Sequence, residues 1–264
     1  MKNNMLQAIA REERTAVEHW VSAKARSAYL GDHKALCKVL GNYNMIVPTD
    51  DLSLAPHLML DGYWEMWITQ AVARHVKPSM RCIDVGANVG YYTLLLADLV
   101  GEQGRVQAWE PQEAVAELIP SSLELNGLRA ELIPAAAGRA AGTAKLNVPG
   151  KFLGSAALGK EGCAVLVDRL DARTKAPVDF VKIDAEGSEH AVWDGMGGLL
   201  DHPSITVLME LAPVICEEPG VLLEKIESAG FPLRWLTPEG PVAPLSRAEA
   251  LEGEWKMLWL QRQI

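Results

Sequence analysis

Acidic residues follow two short apolar runs of this sequence, and they are the residues best suited to do chemistry. Asp84 is expected to end the strand over 82–85 and to point into the crevice at its carboxyl end, while Asp184 and Glu186 follow the run over 180–183. A carboxylate can accept the proton of a reacting group, and it can bind a positively charged ligand. Both runs suit buried parallel strands, and open α/β sheets bind ligands at the carboxyl ends of such strands. The sequence therefore predicts an acidic crevice at that edge.

A glycine turn follows Asp84 and leads into the apolar helical run over 94–97. Gly86 and Gly90 bracket this turn, and Asn88 and Tyr91 belong to it. Glycines allow the backbone to turn tightly and a ligand to approach it closely. A carboxylate at this place would repel a pyrophosphate, so Asp84 favours a ligand that is positively charged and carries no phosphate. S-adenosyl-L-methionine, with its sulfonium and amino groups, is such a ligand.

The next apolar run ends in Glu110, which is placed to bind both ribose hydroxyls of a nucleoside ligand. Its alternative role is that of a favourable charge at the amino end of the following helix. Ala136, in the small-residue stretch over 135–138, is expected to let an adenine ring lie against the backbone.

Two motifs carry a resemblance to a known family. D-V-G-A-N-V-G-Y-Y over 84–92 resembles the first motif of class I methyltransferases, in the form typical of the FkbM family. K-I-D-A-E-G-S-E over 182–189 is similar to the K-I-D-x-E-G-x-E of FkbM proteins. The chain has neither the N/D-P-P-aromatic motif of DNA and RNA amino-methyltransferases nor the Pro-Cys of cytosine-C5 enzymes. The resemblance covers residues 40–262 and implies S-adenosyl-L-methionine as cofactor.

The implied fold is α/β, a Rossmann-like class I methyltransferase with a seven-stranded, mostly parallel sheet and an antiparallel last strand. We expect a methyltransferase domain over 51–264, preceded by an extension over 1–50 with a helix over 5–30 and a hairpin over 36–50. That helix is expected to pack on the domain, to pair with a second copy in a homodimer, or to cover the substrate. An insertion over 139–170 is expected on the ligand side of the sheet. The pattern predicts further strands near 105–110, 129–134, 178–183, 204–210, 232–236 and 255–261, and helices over 55–76, 113–126, 188–200 and 219–229.

Several cleft residues are expected from the resemblance more than from their chemistry. Tyr63, Trp64 and Glu65 match a G-x-aromatic-E segment upstream of the glycine motif of FkbM-like sequences, which implies that they line the cofactor or substrate cleft. From the residues alone, a structural role for Trp64 and Glu65 is an equal alternative. Asp168 is the middle residue of an L-V-D-R-L pattern over 166–170 that is also similar to the family, and its alternative is a solvated turn carboxylate.

Methyl transfer to an alcohol gains from a base that removes the hydroxyl proton, typically about 10²–10⁴-fold. Asp184 is the first candidate for that base, with Glu186 and His190 second, and the alternative for His190 is a surface histidine. Glu210, at the end of the strand predicted over 204–210, lies on the same predicted edge. These acids could also gather a divalent cation, but no histidine accompanies them, and we predict no metal.

FkbM relatives methylate hydroxyls of polyketides, glycans and other secondary metabolites, so we expect O-methylation of a sugar, polyketide or other small-molecule scaffold. Two alternatives remain open at this point. A nicotinamide-dependent oxidoreductase would also use Glu110, although G-x-G-x-x-G is absent. The other alternative is a catalytically silent cofactor-binding subunit of a biosynthetic complex.

The whole chain sets further bounds. Its 264 residues carry a formal net charge of -9, which argues against a nucleic-acid backbone as substrate. No apolar run approaches the roughly 18 residues of a membrane span, and the start lacks the apolar stretch of a signal peptide. Four widely spaced cysteines suggest neither a zinc site nor a disulfide framework. We therefore expect a cytoplasmic protein with no membrane partner.

Overall fold

Two short helices open the chain where the sequence predicts one helix over 5–30. In the computed structural model, which describes residues 2–174 and 177–262, they are α1 (Lys2–Arg11) and α2 (Arg14–Ser22). The single-helix prediction is wrong, because Glu13 interrupts it with an extended backbone and a side chain that accepts a hydrogen bond from the N–H of Ala16 (2.9 Å). A side-chain acceptor at this position starts a new helix.

A three-stranded antiparallel sheet follows, formed by β1 (Ser27–Gly31), β2 (Lys34–Val39) and β3 (Tyr43–Pro48). The predicted hairpin over 36–50 is its β2–β3 pair. Its additional strand, β1, occupies the end of the segment predicted as helix.

The helix predicted over 55–76 is broken into α3 (Ala55–Leu60) and α4 (Met66–His75). Gly62 and Glu65 in the break have left-handed backbones, with φ of 73° and 39°. A right-handed helix cannot continue through such residues. The chain therefore turns at this point, and the turn brings Trp64 and Glu65 to the ligand side of the main sheet.

The remaining elements are, in chain order, β4 (Arg81–Val85), α5 (Tyr91–Val100), β5 (Arg105–Trp109), α6 (Glu113–Ala116), α7 (Leu118–Asn126), β6 (Glu131–Ile133), β7 (Ala136–Ala137), β8 (Gly142–Asn147), β9 (Ala157–Gly159), β10 (Cys163–Asp168), α8 (Leu170–Arg173), β11 (Phe180–Ile183), α9 (Glu189–Asp194), β12 (Thr206–Leu211), α10 (Pro219–Ser228), β13 (Arg234–Leu236), β14 (Val242–Pro244), α11 (Arg247–Ala250) and β15 (Lys256–Gln261).

The main sheet has eight strands in the order β14-β13-β15-β12-β11-β4-β5-β6. Strands β6, β5, β4, β11 and β12 run parallel, and β15 lies antiparallel between β12 and β13. This confirms the predicted Rossmann-like arrangement with an antiparallel last strand. The eighth strand, β14, is a three-residue edge strand that pairs with β13 and was not predicted.

Helices cover both faces of this sheet, as a buried parallel sheet requires. Along β4, Cys82 packs into the core that contains α4 and α5, whereas Ile83 and Val85 pack into the core that contains α9 and α10. The amino-terminal helices pack on α4, where the buried side chain of Gln70 donates a hydrogen bond to the carbonyl of Ile9 (2.9 Å).

The predicted insertion over 139–170 is a separate four-stranded sheet with the order β7-β10-β8-β9. The loop between β8 and β9 lies on the ligand side of the main sheet, where Leu153 and Gly154 line its cavity. None of the helices in the described ranges has the length and apolar character to span a bilayer.

Candidate active site

A cavity of about 450 Å³ lies at the carboxyl ends of β4, β5, β11 and β12. Its volume falls within the roughly 300–1,000 Å³ that is usual for small-molecule sites. The predicted site residues that line it are Trp64, Glu65, Gly86, Asn88, Tyr91, Glu110, Ala136, Asp184, Glu186 and Glu210. The remaining predicted residues, Tyr63, Asp84, Gly90, Asp168 and His190, do not belong to its walls.

The glycine turn after β4 forms one wall. Gly86 has a φ of 73°, and a Cβ atom there would lie 1.8 Å from the carbonyl oxygen of Asp184. No side chain fits that space, so a glycine is what allows the turn after β4 to pack against the end of β11. Gly90, with a φ of 90°, lies behind the wall and starts α5. Its role is to position Tyr91, which does line the cavity.

Glu110 presents its carboxylate between two backbone segments. Its Oε2 accepts a hydrogen bond from the N–H of Asn88 (2.8 Å), and its Oε1 accepts one from the N–H of Gln112 (2.8 Å). Burial raises the pKa of Glu110 to about 7, against the effect of these two bonds. A carboxylate has about four lone-pair positions, so each oxygen can accept another hydrogen bond from a ligand.

Asp84 lies beneath the cavity and not on its wall, which corrects the prediction that it contacts the ligand. It is 1% exposed, and its Oδ2 accepts a hydrogen bond from the hydroxyl of Thr93 (2.6 Å). Strand β4 continues to Val85, so the side chain of Asp84 points toward the face covered by α5. Burial raises the pKa of Asp84, while the charge of Lys182 acts in the opposite direction. Asp84 therefore links β4 to α5, the helix that follows the glycine turn.

Lys182 is a site residue that the sequence prediction missed. It is 2% exposed, lies opposite Asp84 in the β4–β11 register, and lines the cavity. Its Nζ donates a hydrogen bond to Asp184 Oδ2 (3.1 Å) and lies 4.7 Å from the ring centroid of Tyr92. Burial lowers the pKa of Lys182, but the charges of Asp184 and Asp84 outweigh it, and the pKa is raised. The sequence does contain a signal for this residue, a lysine within the apolar run F-V-K-I over 180–183. A buried ammonium needs a charged partner, so such a lysine indicates a carboxylate beside it.

Three further carboxylic acids surround the Asp184–Lys182 pair. Burial, followed by the charge of Asp184, raises the pKa of Glu65 to about 7, of Glu186 to about 7 and of Glu210 to about 9. Glu65 and Glu186 therefore exchange protons close to neutral pH, whereas Glu210 is mostly protonated there, and a cation in the cavity would favour the ionised forms of all three. Within residues 2–174 and 177–262, no three His, Cys, Asp or Glu side chains are arranged to hold a metal ion.

His190 does not face the cavity, which corrects its prediction as a candidate base. It is 2% exposed and lies on α9, with its Nδ1 3.1 Å from the carbonyl oxygen of Glu217 and its Nε2 2.9 Å from Lys225 Nζ. Both contacts are satisfied when Nδ1 donates to this carbonyl and Nε2 accepts from the ammonium. The imidazole is thus held between α9 and the α10 region, behind the site.

Asp168 and Tyr63 also lie off the cavity walls. Asp168 accepts hydrogen bonds from Arg173 Nε (2.6 Å) and from the N–H of Arg169 (2.8 Å). These bonds, with that from Arg173 the larger cause, lower the pKa of Asp168. Tyr63 is half-buried against the core, and Trp64 and Glu65 reach the cavity in its place.

The described residues fit a nucleoside ligand that carries positive charge. Glu110 offers free acceptor positions suited to a ribose diol. The small side chains of Ala136 and Ala137, also on the wall, leave space for a flat base. On the opposite side, the carboxyl groups of Glu65, Asp184 and Glu186 make the wall acidic, which fits a ligand with sulfonium and ammonium groups.

Comparison with known proteins supports this assignment. The chain matches the sequence model of the methyltransferase FkbM domain over residues 84–233. The curated protein-L-isoaspartate O-methyltransferase 1 of Arabidopsis thaliana is 40% identical over 55 residues, which are 21% of this chain and 23% of that protein. The chain therefore spans about a quarter of the length of that relative in this match.

Solved structures with a similar fold include an FkbM methyltransferase from Methylobacillus flagellatus, with a TM-score of 0.45 and 16% identity over 69% of this chain and 43% of that one. A second is the T. Thermophilus 16S rRNA N2 G1207 methyltransferase in complex with AdoMet and guanosine. It has a TM-score of 0.47 and 16% identity over 90% of this chain and 50% of that one.

The matched segment begins at Asp84 and contains the glycine turn, Glu110 and the acidic block after β11. It covers more than half of the chain, and S-adenosyl-L-methionine is the cofactor of this domain. The chain belongs to the FkbM methyltransferase family.

Proposed function

We propose that this protein transfers the methyl group of S-adenosyl-L-methionine to a hydroxyl of a small molecule, such as a sugar, a polyketide or another natural-product scaffold. The observation that carries the proposal is the group of carboxylates around Asp184 in a cavity that also contains the glycine turn and Glu110. The nicotinamide-dependent oxidoreductase considered from the sequence is set aside, because the chain belongs to a methyltransferase family.

In this proposal Glu110 and the turn at Gly86 and Asn88 bind the cofactor, which supplies an electrophilic methyl group. Asp184 accepts the proton of the acceptor hydroxyl. Its Oδ2 is engaged by Lys182 Nζ, so we assign the proton to Oδ1. Lys182 acts as a positioning residue, because it fixes the orientation of the carboxylate that it contacts.

Glu186 is the second candidate base, since its pKa of about 7 matches the pH at which a general base is most effective. Trp64, Glu65 and Glu210 are assigned to the acceptor side of the cavity that they line. Glu65 can hold a substrate hydroxyl, and its left-handed backbone (φ 39°) is the kind of strained conformation that occurs at ligand sites.

Charge supports a small-molecule acceptor over a nucleic acid. The net charge of -9 and the acidic wall of the cavity both oppose the approach of a phosphate backbone. The assignment of residues 51–264 to the catalytic domain and 1–50 to an extension belongs to the same proposal. So does a cytoplasmic location, which the unpaired Cys37, Cys82, Cys163 and Cys216 support.

The test is a measurement of S-adenosylhomocysteine release over a panel of acceptors that differ only in the reacting group, an alcohol, an amine or a carboxylate, with an RNA oligonucleotide added. Release with alcohols is the expected result. Release with the amine, the carboxylate or the RNA and not with any small-molecule alcohol would overturn transfer to a small-molecule hydroxyl. Tight cofactor binding by calorimetry without release from any member would favour the silent-subunit alternative.

A further inference from the structure

One buried carboxylate joins two distant segments above the cofactor cavity. Asp51 is 3% exposed, and its Oδ1 accepts hydrogen bonds from Ser53 N (3.0 Å), Ser53 Oγ (2.5 Å) and Leu153 N (3.1 Å). Its Oδ2 accepts from Leu54 N (2.9 Å) and Ala55 N (2.8 Å). We call the two joined segments, residues 51–55 and 151–156, the roof.

Two further hydrogen bonds hold the roof together. The N–H of Gly154 donates to Ser53 Oγ (2.9 Å), and the N–H of Leu52 donates to the carbonyl of Lys151 (2.8 Å). Packing at Gly154 is tight, because a Cβ atom there would lie 2.9 Å from Ser53 Oγ. The contact between the two segments therefore depends on the local geometry that Asp51 imposes on Ser53.

The roof lies directly over the cofactor turn. Ser53 and Leu54 from one segment, and Leu153 and Gly154 from the other, line the same cavity as Gly86 and Asn88. A Cβ atom at Gly154 would lie 3.6 Å from Asn88 Nδ2, so the roof approaches the turn itself. A ligand on the Gly86–Asn88 turn is therefore enclosed from above by residues that Asp51 organises.

Asp51 does more than start α3. The bonds to Leu54 and Ala55 would be sufficient for a helix start, whereas the bond to Leu153 spans 102 positions of sequence. Although burial raises the pKa of Asp51, the hydrogen bonds from Ser53, Ala55 and Leu153 outweigh it and lower the pKa. Asp51 is therefore ionised at neutral pH, and hydrogen bonds to an ionised acceptor are the stronger ones.

We propose that Asp51 is a positioning residue for cofactor binding, which holds the 151–156 segment over the cavity and thereby sets the affinity for S-adenosyl-L-methionine. Asp51 lies outside the segment that matches the family, 84–233. The proposal goes beyond the methyl transfer proposed above, and it is tested without any acceptor. Its failure and the failure of O-methylation are therefore distinguishable.

The experiment compares Asp51→Asn with Asp50→Asn, a matched control that removes the same charge from the exposed neighbouring side chain. In Asp51→Asn the side-chain amide would present its own N–H to backbone N–H groups, and the hydrogen bonds to a charged acceptor would be lost. We expect the calorimetric Kd for S-adenosyl-L-methionine to rise roughly 10-fold or more in Asp51→Asn and to stay within about twofold in Asp50→Asn.

Limited trypsin digestion supplies a second readout. Lys151 is an exposed cleavage site within the roof, and its carbonyl is held by Leu52. Cleavage after Lys151 should accelerate selectively in Asp51→Asn, and cofactor should slow that cleavage in the wild type. A general acceleration at all sites together with an unchanged Kd would overturn the proposal, because Asp51 would then only stabilise the fold.

Ser53→Ala keeps the proposal testable if Asp51→Asn does not fold. It removes the acceptor of the Gly154 bond and leaves the carboxylate in place. We expect a smaller loss of affinity, about threefold, because Asp51 keeps its bonds from the N–H groups of Ser53, Leu54, Ala55 and Leu153. Full cofactor affinity and unchanged cleavage after Lys151 in Ser53→Ala would overturn the role of the roof.

Discussion

The two sides of the cavity hold their carboxylates in different ways. On the side of β4 and β5, Glu110 accepts hydrogen bonds of 2.8 Å from the backbone N–H groups of Asn88 and Gln112. On the side of β11 and β12, Asp184 is held by a single ammonium, that of Lys182. Its acidic neighbours Glu186 and Glu210 have pKa values of about 7 and about 9, raised mainly by burial.

This difference suggests that the two sides of the cavity have different roles. Short hydrogen bonds from backbone groups fix a carboxylate in one place, which suits the recognition of an invariant ligand. Buried acids with pKa values near neutrality can gain and lose protons, which suits a chemical step. We therefore expect substitutions on the first side to change cofactor affinity and substitutions on the second side to change turnover.

The largest effect is expected from Asp184→Asn, which keeps the shape of the side chain and removes its basicity. Turnover should fall roughly 10²-fold or more, while cofactor affinity should change by no more than a few-fold. Both quantities follow from S-adenosylhomocysteine release and from calorimetry.

Asp201→Asn is the control, since Asp201 lies in an exposed turn away from the cavity. Near wild-type turnover in a folded Asp184→Asn protein would move the base to Glu186. Loss of cofactor binding with the fold intact would instead place Asp184 on the recognition side, and the division proposed here would fail.

Glu110→Ala tests the other side of the cavity, that of β4 and β5, where we expect cofactor affinity to change. We expect cofactor binding to weaken by about 1–3 kcal/mol, because hydrogen bonds to a charged group are lost. Glu113→Ala removes the same side chain from an exposed position three residues later and should leave the affinity unchanged. Unaltered affinity in Glu110→Ala would remove this residue from the cofactor site.

Sequence alone predicted the residues whose roles depend on local spacing. The glycine turn, Glu110 and the D-A-E block each follow directly from a strand, and all of them reach the cavity. Asp84 was misplaced because β4 continues for one more residue, to Val85. Side chains alternate between the two faces of a strand, so Asp84 points to the face covered by α5 and not into the cavity. His190 was misplaced because its place on the short helix α9 directs it toward Glu217 and Lys225.

Residues defined by distant contacts could not be predicted. Asp51 meets Leu153 across 102 positions, and no pattern in either segment indicates the other. The breaks at Glu13 and Glu65 were hidden because both segments keep helical apolar spacing around the interruption. The central sheet was more predictable, since five buried runs separated by helices leave few ways to order parallel strands.

The raised pKa values predict that the free energy of unfolding of the free protein falls as pH rises, whereas the additional stabilisation by cofactor grows. Glu65, Glu110, Glu186 and Glu210 bind protons more tightly in the folded state than in the unfolded chain. Between about pH 5 and 8 the folded state therefore carries more protons, and the free energy of unfolding falls as pH rises. A bound cation favours the ionised forms, so the stabilisation by cofactor should grow over the same interval.

Thermal unfolding between about pH 5 and 8, with and without S-adenosyl-L-methionine, measures both trends. We expect Tm of the free protein to decrease by a few degrees and the cofactor-induced shift to increase. Glu210→Gln should flatten the profile of the free protein, because it removes the acid with the most strongly raised pKa of the four. A cofactor-induced shift that does not depend on pH would contradict an electrostatic interaction of the bound cofactor with Glu65, Glu186 and Glu210.

The smallest effect on turnover is expected from His190→Ala. This variant tests whether the side of the cavity assigned to the chemical step, that of β11 and β12, includes α9. His190 lies only a few residues after Asp184, yet its ring nitrogens contact Glu217 and Lys225 behind the site. Removing the buried ring leaves the carbonyl of Glu217 and the ammonium of Lys225 with fewer partners, which should lower the free energy of unfolding by about 1–3 kcal/mol. Turnover at saturating substrate should stay within about twofold, because no catalytic proton passes through this histidine. Urea unfolding and S-adenosylhomocysteine release on the same preparation separate the two quantities. A large loss of turnover at unchanged stability would contradict this prediction and would give His190 on α9 a part in the chemical step.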